Sequence, residues 1–277
     1  MDILREFSSE GLYMRYAVDE LPDDGDFIMH VHEQCEIYYF VSGNAEYLVE
    51  GSRYPLEAGS ILIMRPAESH RVKIISREKY ERYAVNFSVS LIDIIDPRHL
   101  LLNAFFDRPL GRGNLYLPEE FETENIHGLF AEMCGESGCP KSDYEKRLNI
   151  LTGLFSLLGL INKIFTNRRV SDYLPPQSAS EKIVSYVNAH LFDKLSVPML
   201  AEHFFLSASQ FSRIFKQATG AAPWEYITIK RLTAAREKIR GGISVRNAAE
   251  SCGFGDHSAF YRAYVKHFGC APSSEGK

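Results

Sequence analysis

The chain has 277 residues, 45% of them hydrophobic, which is enough for two packed domains. Its net charge of −5 argues at first sight against a nucleic-acid partner, yet residues 179–277 carry 13 Lys and Arg against 8 Asp and Glu, and the remainder 18 against 28. Five cysteines (Cys35, Cys134, Cys139, Cys252, Cys270) without framework or zinc-finger spacing exclude a disulfide scaffold, and neither a leader nor a bilayer-spanning apolar run is apparent, so a cytoplasmic protein with no membrane partner is expected.

From about residue 12 to 88 the sequence reads as short strands at 36–41, 45–49, 52–56, 61–64 and 83–87. They are rich in aromatic and β-branched residues and separated by Gly43, Gly51, Gly59 and Pro66. Many evenly spaced strands with glycine turns predict a small barrel or jelly roll. His30 and His32 point the same way from one strand, and Glu36 and His70 can approach from neighbouring strands. Together with Gly25, Gly43, Gly59 and Pro66, these four residues resemble the cupin sensor domain of AraC-family regulators. In metal-binding cupins the matching residues hold one divalent ion, so the resemblance implies a metal site at His30, His32, Glu36 and His70. Two positions depart from the pattern, with Glu68 in place of a glycine and Ile74 in place of an asparagine. Three readings stay open: polar side chains lining an effector pocket without metal, ligands of an ion, or satisfied structural histidines. Tyr38, Tyr47 and Arg65 join the four as effector-binding candidates, and the family suggests a sugar or its acid as effector.

Between residues 91 and 174 the pattern turns helical, with main segments at 121–134 and 144–165. The break at 135–140 lies between Cys134 and Cys139, a candidate redox pair with no further ligand nearby. The longest apolar candidate, 151–161, is too short to cross a bilayer and contains Gly153 and Gly159. On the second helix Leu148, Leu151, Phe155, Leu158 and Ile161 form an apolar face that can pack on the barrel, and the remainder offers a dimer contact. Core packing alone would also explain that face, while the family resemblance favours a helix-mediated homodimer. Residues 167–178, with Pro175 and Pro176, read as a linker. A helix at 181–192, with Ile183, Val184 and Val187 inward, opens the last domain.

Residues 195–272 contain one pattern twice. Ser196, Ala201, Phe211, Arg213, Phe215, Gly220 and Pro223 recur as Ser244, Ala249, Phe260, Arg262, Tyr264, Gly269 and Pro272. Each copy reads as two short helices joined by a tight turn, a helix-turn-helix in tandem. Ser209, Ser212, Arg213 and Lys216 share the outer face of one second helix, and His257, Ser258, Tyr261 and Arg262 cluster near the start of the other. Hydroxyls, an imidazole and basic side chains there suit base edges and phosphates in a major groove, although an ordinary solvated helix face has the same composition.

The runs 208–216 and 252–262, followed by Gly220, Gly269 and Pro272, resemble the AraC family of bacterial transcription regulators. The resemblance implies recognition helices from about Ser207 and Asp256, joined by a helix at 223–241. About 19 residues at 1.5 Å each span near 28 Å, close to the ~34 Å between successive major grooves. After Pro272, where the family usually continues to an arginine, this sequence reads Ser-Ser-Glu-Gly-Lys.

The expected architecture is α+β and multidomain. It comprises a cupin-like effector-sensing barrel (1–90), a helical packing or dimerisation segment (91–166), a linker (167–178) and an all-α tandem helix-turn-helix domain (179–277). The expected function is an effector-responsive regulator that binds double-stranded DNA as a homodimer, with RNA polymerase as a further partner if it activates. No cofactor is required beyond a candidate divalent ion. A metal-dependent cupin enzyme with a regulatory tail is the alternative, and no further nucleophile or acid–base pair supports it. An adaptor that binds other proteins through the helices is a third reading, distinguished by the lack of salt-dependent DNA affinity.

Overall fold

The computed structural model describes residues 2–93, 95–122, 124–135, 142–168 and 178–275. Residues 169–177 of the expected linker and Cys139 of the candidate redox pair lie outside the described residues.

Among the described residues nine strands form two antiparallel sheets: β1 (Asp2–Ser9), β2 (Leu12–Asp19), β3 (Cys35–Ser42), β4 (Ala45–Val49), β5 (Ser52–Pro55), β6 (Ile61–Met64), β7 (His70–Ile74), β8 (Tyr80–Phe87) and β9 (Leu115–Tyr116). The larger sheet runs β1-β2-β8-β3-β6-β9 and the smaller β5-β4-β7. Strand alternation divides the large sheet's side chains between two cores. Leu12, Met14, Ile37, Tyr39, Ile61, Ile63, Tyr83, Val85 and Phe87 face the helices, whereas Tyr38, Phe40, Leu62, Met64, Tyr80 and Ala84 meet Tyr47, Val49, Val72 and Ile74 of the small sheet. The second layer is the barrel interior, where the site lies.

Several strand and helix positions differ from expectation. β1 precedes the first expected strand, and β9 falls in the stretch expected to be helical. Residues 28–34 form no strand, and their β-pairing with the sheet among the described residues is one bridge, His30 to His70. The helical segment opens with two four-residue turns, α1 (Ser90–Asp93) and α2 (Asn103–Phe106). It then continues as α3 (Ile126–Met133) and α4 (Asp143–Asn167). The inner line of α4 is Ile150, Gly153, Leu154, Leu157, Leu158 and Ile161. Leu148 is exposed and Leu151 and Phe155 are half-buried, so the expected face was rotated toward solvent at its start. Gly153 is where α3 crosses: a β-carbon there would sit 2.3 Å from Met133 Cγ. By length and composition α4 could cross a membrane, contrary to the reading of 151–161, but its inner line packs on the barrel's outer core.

The C-terminal part holds α5 (Ala179–Ala189), α6 (Val197–His203), α7 (Ala208–Thr219), α8 (Pro223–Arg240), α9 (Val245–Ser251) and α10 (His257–Phe268). Each helix start follows its sequence signal. Ser178 with Glu181 and Ser207 with Gln210 close capping boxes, while Ser196, Ser244 and Asp256 cap α6, α9 and α10. Each such cap contributes about 1 kcal/mol. Gly220 (φ +85°) and Gly269 (φ +72°) end α7 and α10 in the left-handed conformation.

Two cores result, one of α5–α7 with Tyr226 and Ile227, the other of α9 and α10 with Leu232, Ala235 and Ile239. α8 therefore contributes to both. Arg231 locks the arrangement by donating to the carbonyls of Leu191 (2.7 Å) and Asp193 (2.6 Å) beside the first unit and Gly253 (2.9 Å) in the second.

Candidate functional site

The duplicated units turn equivalent faces outward. On α7, Phe211, Phe215 and Ala218 are buried, leaving Ser209, Arg213 and Lys216 exposed and Ser212 half-buried. On α10, Phe260 and Tyr264 are buried, leaving His257, Ser258, Tyr261 and Arg262 exposed. Arg213, Lys216 and Arg262 make no side-chain hydrogen bond or salt bridge among the described residues. The 18 residues of α8 span about 27 Å and hold the two faces at a fixed separation.

In the barrel, His30, His32, Glu36 and His70 converge, their ligand-type atoms all within 4.8 Å of one another. Each imidazole donates Nδ1–H to a main-chain carbonyl: His30 to Ile28 (3.2 Å), His32 to Gln34 (2.8 Å) and His70 to Glu68 (2.8 Å). A carbonyl only accepts, so in the neutral ring Nε2 is left as a lone pair. His32 Nε2 lies 2.8 Å and His70 Nε2 3.5 Å from Glu36 Oε2, and the His70 atom is buried without a hydrogen-bond partner. Lone pairs facing a carboxylate repel unless a proton or a cation lies between them.

Burial would raise the Glu36 carboxyl, but His32 and His70 hold it well below its usual range. Burial lowers the His70 ring, and the Glu36 carboxylate 3.5 Å away raises it above its ordinary value. Asn86 Nδ2 donates to Glu36 at 2.9 Å and fixes its orientation. Three imidazoles and a carboxylate, each histidine anchored through its far nitrogen, form a donor set that fits a first-row divalent ion.

The cluster borders a cavity of about 210 Å3 lined by Arg15, Asp26, Phe27, Ile28, His30, Tyr38, Tyr47, Val72, Tyr80 and Arg82. Tyr38 and Tyr47 thus reach it as expected. Arg65 does not: its guanidinium donates outward to the carbonyls of Phe106 (3.4 Å) and Arg108 (3.2 Å). Arg15 and Arg82 were missed. Strand parity could have found them, since Met14 and Tyr83 in the outer core put Arg15 and Arg82 on the opposite face. Glu68, at the glycine position of the cupin pattern, is fully buried and paired with Arg108 at 2.7 Å, and it accepts from the Gly111 amide at 2.8 Å. Its role is structural.

The barrel also grips the helical domain. In extended residues 29–33 the side chains alternate: His30 and His32 enter the cluster, Met29 and Val31 enter the core of α5–α7, and Glu33 pairs with Arg236 (3.6 Å) and Arg240 of α8. Glu50, at the β4–β5 turn with φ +49°, carries a second contact. Its carboxylate accepts from Ser69 N (2.6 Å), Asn188 Nδ2 (2.6 Å), Tyr226 Oη (2.5 Å) and Lys230 Nζ (2.5 Å). Gly51 follows with φ +85°, and a β-carbon there would lie 2.9 Å from Val184 Cγ2. No sequence pattern pointed to Glu33 or Glu50, because neither residue completes a motif within its own domain.

Residues 15–105 match the AraC-like ligand-binding domain family and residues 200–275 a helix-turn-helix domain family. The HTH-type transcriptional activator RhaS of Escherichia fergusonii is 33% identical over 263 residues, 92% of this chain and 90% of its own. The HTH-type transcriptional regulator YfiF of Bacillus subtilis is 23% identical over 255 residues, 88% of this chain and 77% of its own. ToxT of Vibrio cholerae O395 superposes with a TM-score of 0.41 at 14% identity, covering 96% of each chain. With a ligand-binding domain ahead of tandem DNA-binding units, and a relative of this identity along nearly its whole length, the chain belongs to the AraC family of transcription regulators.

Proposed function

We propose that this regulator reads DNA with both recognition helices and adjusts that reading to what its barrel holds. Arg213, Lys216 and Arg262 contact phosphate or guanine, while Ser209, Ser212, His257, Ser258 and Tyr261 contact base edges and sugar-phosphate. His30, His32, Glu36 and His70 would hold a divalent ion, which supplies a fixed positive charge beside the cavity. His30 and the cavity residues Tyr38 and Tyr47 meet the effector. Residues 29–33 carry the signal, since any movement of His30 or His32 displaces Met29, Val31 and Glu33 against α5–α8.

The domain limits follow the sequence reading, with the sensor and its helices up to about residue 166 and the DNA-binding part from about 179. The exposed and half-buried flank of α4, with Tyr144, Leu148, Leu151 and Phe155, serves as the contact between two copies in the cytoplasm. As an activator, which is what the Escherichia fergusonii relative is named, it would also meet RNA polymerase.

The observation that carries the DNA reading is the pair of exposed faces whose Arg213, Lys216 and Arg262 have no side-chain partner among the described residues, joined by the single helix α8. A mobility-shift titration of the full chain tests it on DNA from upstream of its own coding sequence. Arg213→Ala and Arg262→Ala are each expected to weaken specific binding by about 1–3 kcal/mol, and loss of a phosphate contact lowers the salt slope by about one. Unchanged affinity in both variants would reject the assignment.

A further inference from the structure

The barrel cavity has a chemistry of its own beyond the histidine cluster. β2 and β8 pair Arg15 with Ala84 and Ala17 with Arg82, and Ala84 also pairs with Tyr38 of β3. These pairings bring Arg15, Arg82 and Tyr38 to the inner face of the sheet, where all three line the cavity. Arg82 is 1% exposed; it donates through Nη1 to Asp19 at 2.5 Å, and its guanidinium lies 4.3 Å from the Tyr80 ring centroid. Its Nη2 is buried with no partner among the described residues, and so is Arg15 Nε. Arg15 enters no salt bridge among the described residues.

Asp19 pairs with Arg82 and the charge of Glu36 acts on Arg15, yet each guanidinium keeps a buried N–H without a partner among the described residues, so the cavity is short of hydrogen-bond acceptors. Buried donors are left unpaired at a cost in stability, and a fold retains them where a ligand completes them. Asp26 is the one acid lining the cavity, and it is exposed. The hydroxyls of Tyr38 and Tyr80, bonded to each other, and Tyr47 add hydrogen-bonding groups and ring faces.

We infer that the cavity binds a small organic acid, its carboxylate recognised by Arg15 and Arg82 and its remainder by the tyrosines. Guanidinium forks match carboxylate geometry. At about 210 Å3 the cavity lies below the roughly 300 Å3 at which pockets for drug-sized ligands begin, which limits the acid to monosaccharide size or less. The inference rests on the barrel being the effector site and assigns the class of effector.

The test is thermal-shift screening of the full chain with probes matched except in charge: galacturonate and galactose, glucuronate and glucose, and lactate and propanediol, with citrate and inorganic phosphate added. Calorimetry follows any hit. At least one organic acid is expected to raise Tm while its neutral counterpart does not. Arg15→Met, and Arg82→Lys, which keeps a cation for Asp19, are each expected to weaken that acid about ten- to hundredfold. Arg15→Met is also expected to raise the Tm of the unliganded chain, because it removes a buried donor that has no partner among the described residues.

A shift with neutral members alone, or with phosphate and no organic acid, overturns the carboxylate assignment and leaves the barrel as the effector site. No shift with any probe also overturns it. If the unliganded Arg15→Met chain is in addition less stable than the parent, the cavity is part of the core and the effector reading fails with it.

Discussion

Glu50→Ala is expected to undock the two domains while leaving each folded. Glu50 is 6% and Lys230 5% exposed, and of the four donors to the carboxylate, Asn188, Tyr226 and Lys230 belong to the other domain. Burial and then the Glu50 charge push the Tyr226 hydroxyl well above its ordinary range, so it remains a donor. Removing one partner of a buried pair costs about 3–5 kcal/mol, because the other charge stays desolvated. At 1.4 kcal/mol per factor of ten, the docking equilibrium falls by about two to three and a half orders of magnitude. Alanine keeps nearly the same backbone strain at φ +49°, so the loss reports the carboxylate.

Hydrogen exchange on the full chain reads the result. Amides around the β4–β5 turn and in α5 should lose protection, while those of β2, β3 and β8 should keep it. The double variant Glu50→Gln/Lys230→Met replaces the pair with neutral groups and should recover most of the protection, so the single effects would not add. Unchanged exchange in Glu50→Ala would refute the reasoning, and so would loss of protection throughout the barrel, which would mean unfolding rather than undocking.

Two further outcomes follow from the barrel. Burial would raise the Glu68 carboxyl, and the Arg108 guanidinium with the Gly111 and Arg65 amides holds it down at about 2. Its folded value lies below the ordinary 4.5, so its contribution is complete above about pH 4.5 and is lost as pH falls toward 2; Glu68→Gln should destabilise the parent by about 3–5 kcal/mol at neutral pH and flatten that acid limb in urea melts. Elemental analysis of the purified full chain should find a stoichiometric first-row divalent ion that a His30→Ala/His32→Ala variant lacks; equal, substoichiometric metal in both would reject the metal assignment.

Legibility in the sequence followed the range of the interactions. The helix starts at Ser196, Ser207, Ser244 and Asp256 were readable because a cap and its partner lie within three residues, and the tandem units because one pattern repeats; the helix expected at 181–192 instead starts at Ala179 behind its cap Ser178 and ends at Ala189. The resemblance to cupins brought His30, His32, Glu36 and His70 together, and they do converge, though residues 28–34 form an extended loop with one bridge and not a strand. Arg65 was misjudged because adjacency to a strand end says nothing of where a long side chain turns. β1 was missed because an exposed edge strand such as Asp2–Ser9 buries too little to show an apolar alternation. Phe205 stands at φ +55° and 96% exposed where the second unit has Gly253 at φ +80°, so even a duplicated turn did not show the left-handed position that only one copy marks with glycine.

The contacts between domains bear on how the protein can respond. The coupling between two sites in a protein is typically 1–3 kcal/mol, and a ligand shifts an equilibrium only by its differential affinity for the two states. A docked state held by apolar burial alone would offer the barrel's occupant little to act on. Here docking runs through residues 29–33, whose alternate side chains belong to different domains. A change of one residue's facing in an extended segment moves every second side chain to the other side. On the function proposed above, ordering His30 and His32 around an ion or an acid would fix the phase of the segment and set where Met29, Val31 and Glu33 press on α5–α8. Glu33 shares Arg236 and Arg240 with Glu275, which lies beyond α10 and also accepts from Tyr264 at 3.0 Å. On that same proposal, displacing Glu33 would alter the charge balance at Arg236 and Arg240 of α8, so the docking of the helical domain on the barrel, with α7 and α10 held as one unit by α8 and Arg231, is what the barrel's occupant would adjust.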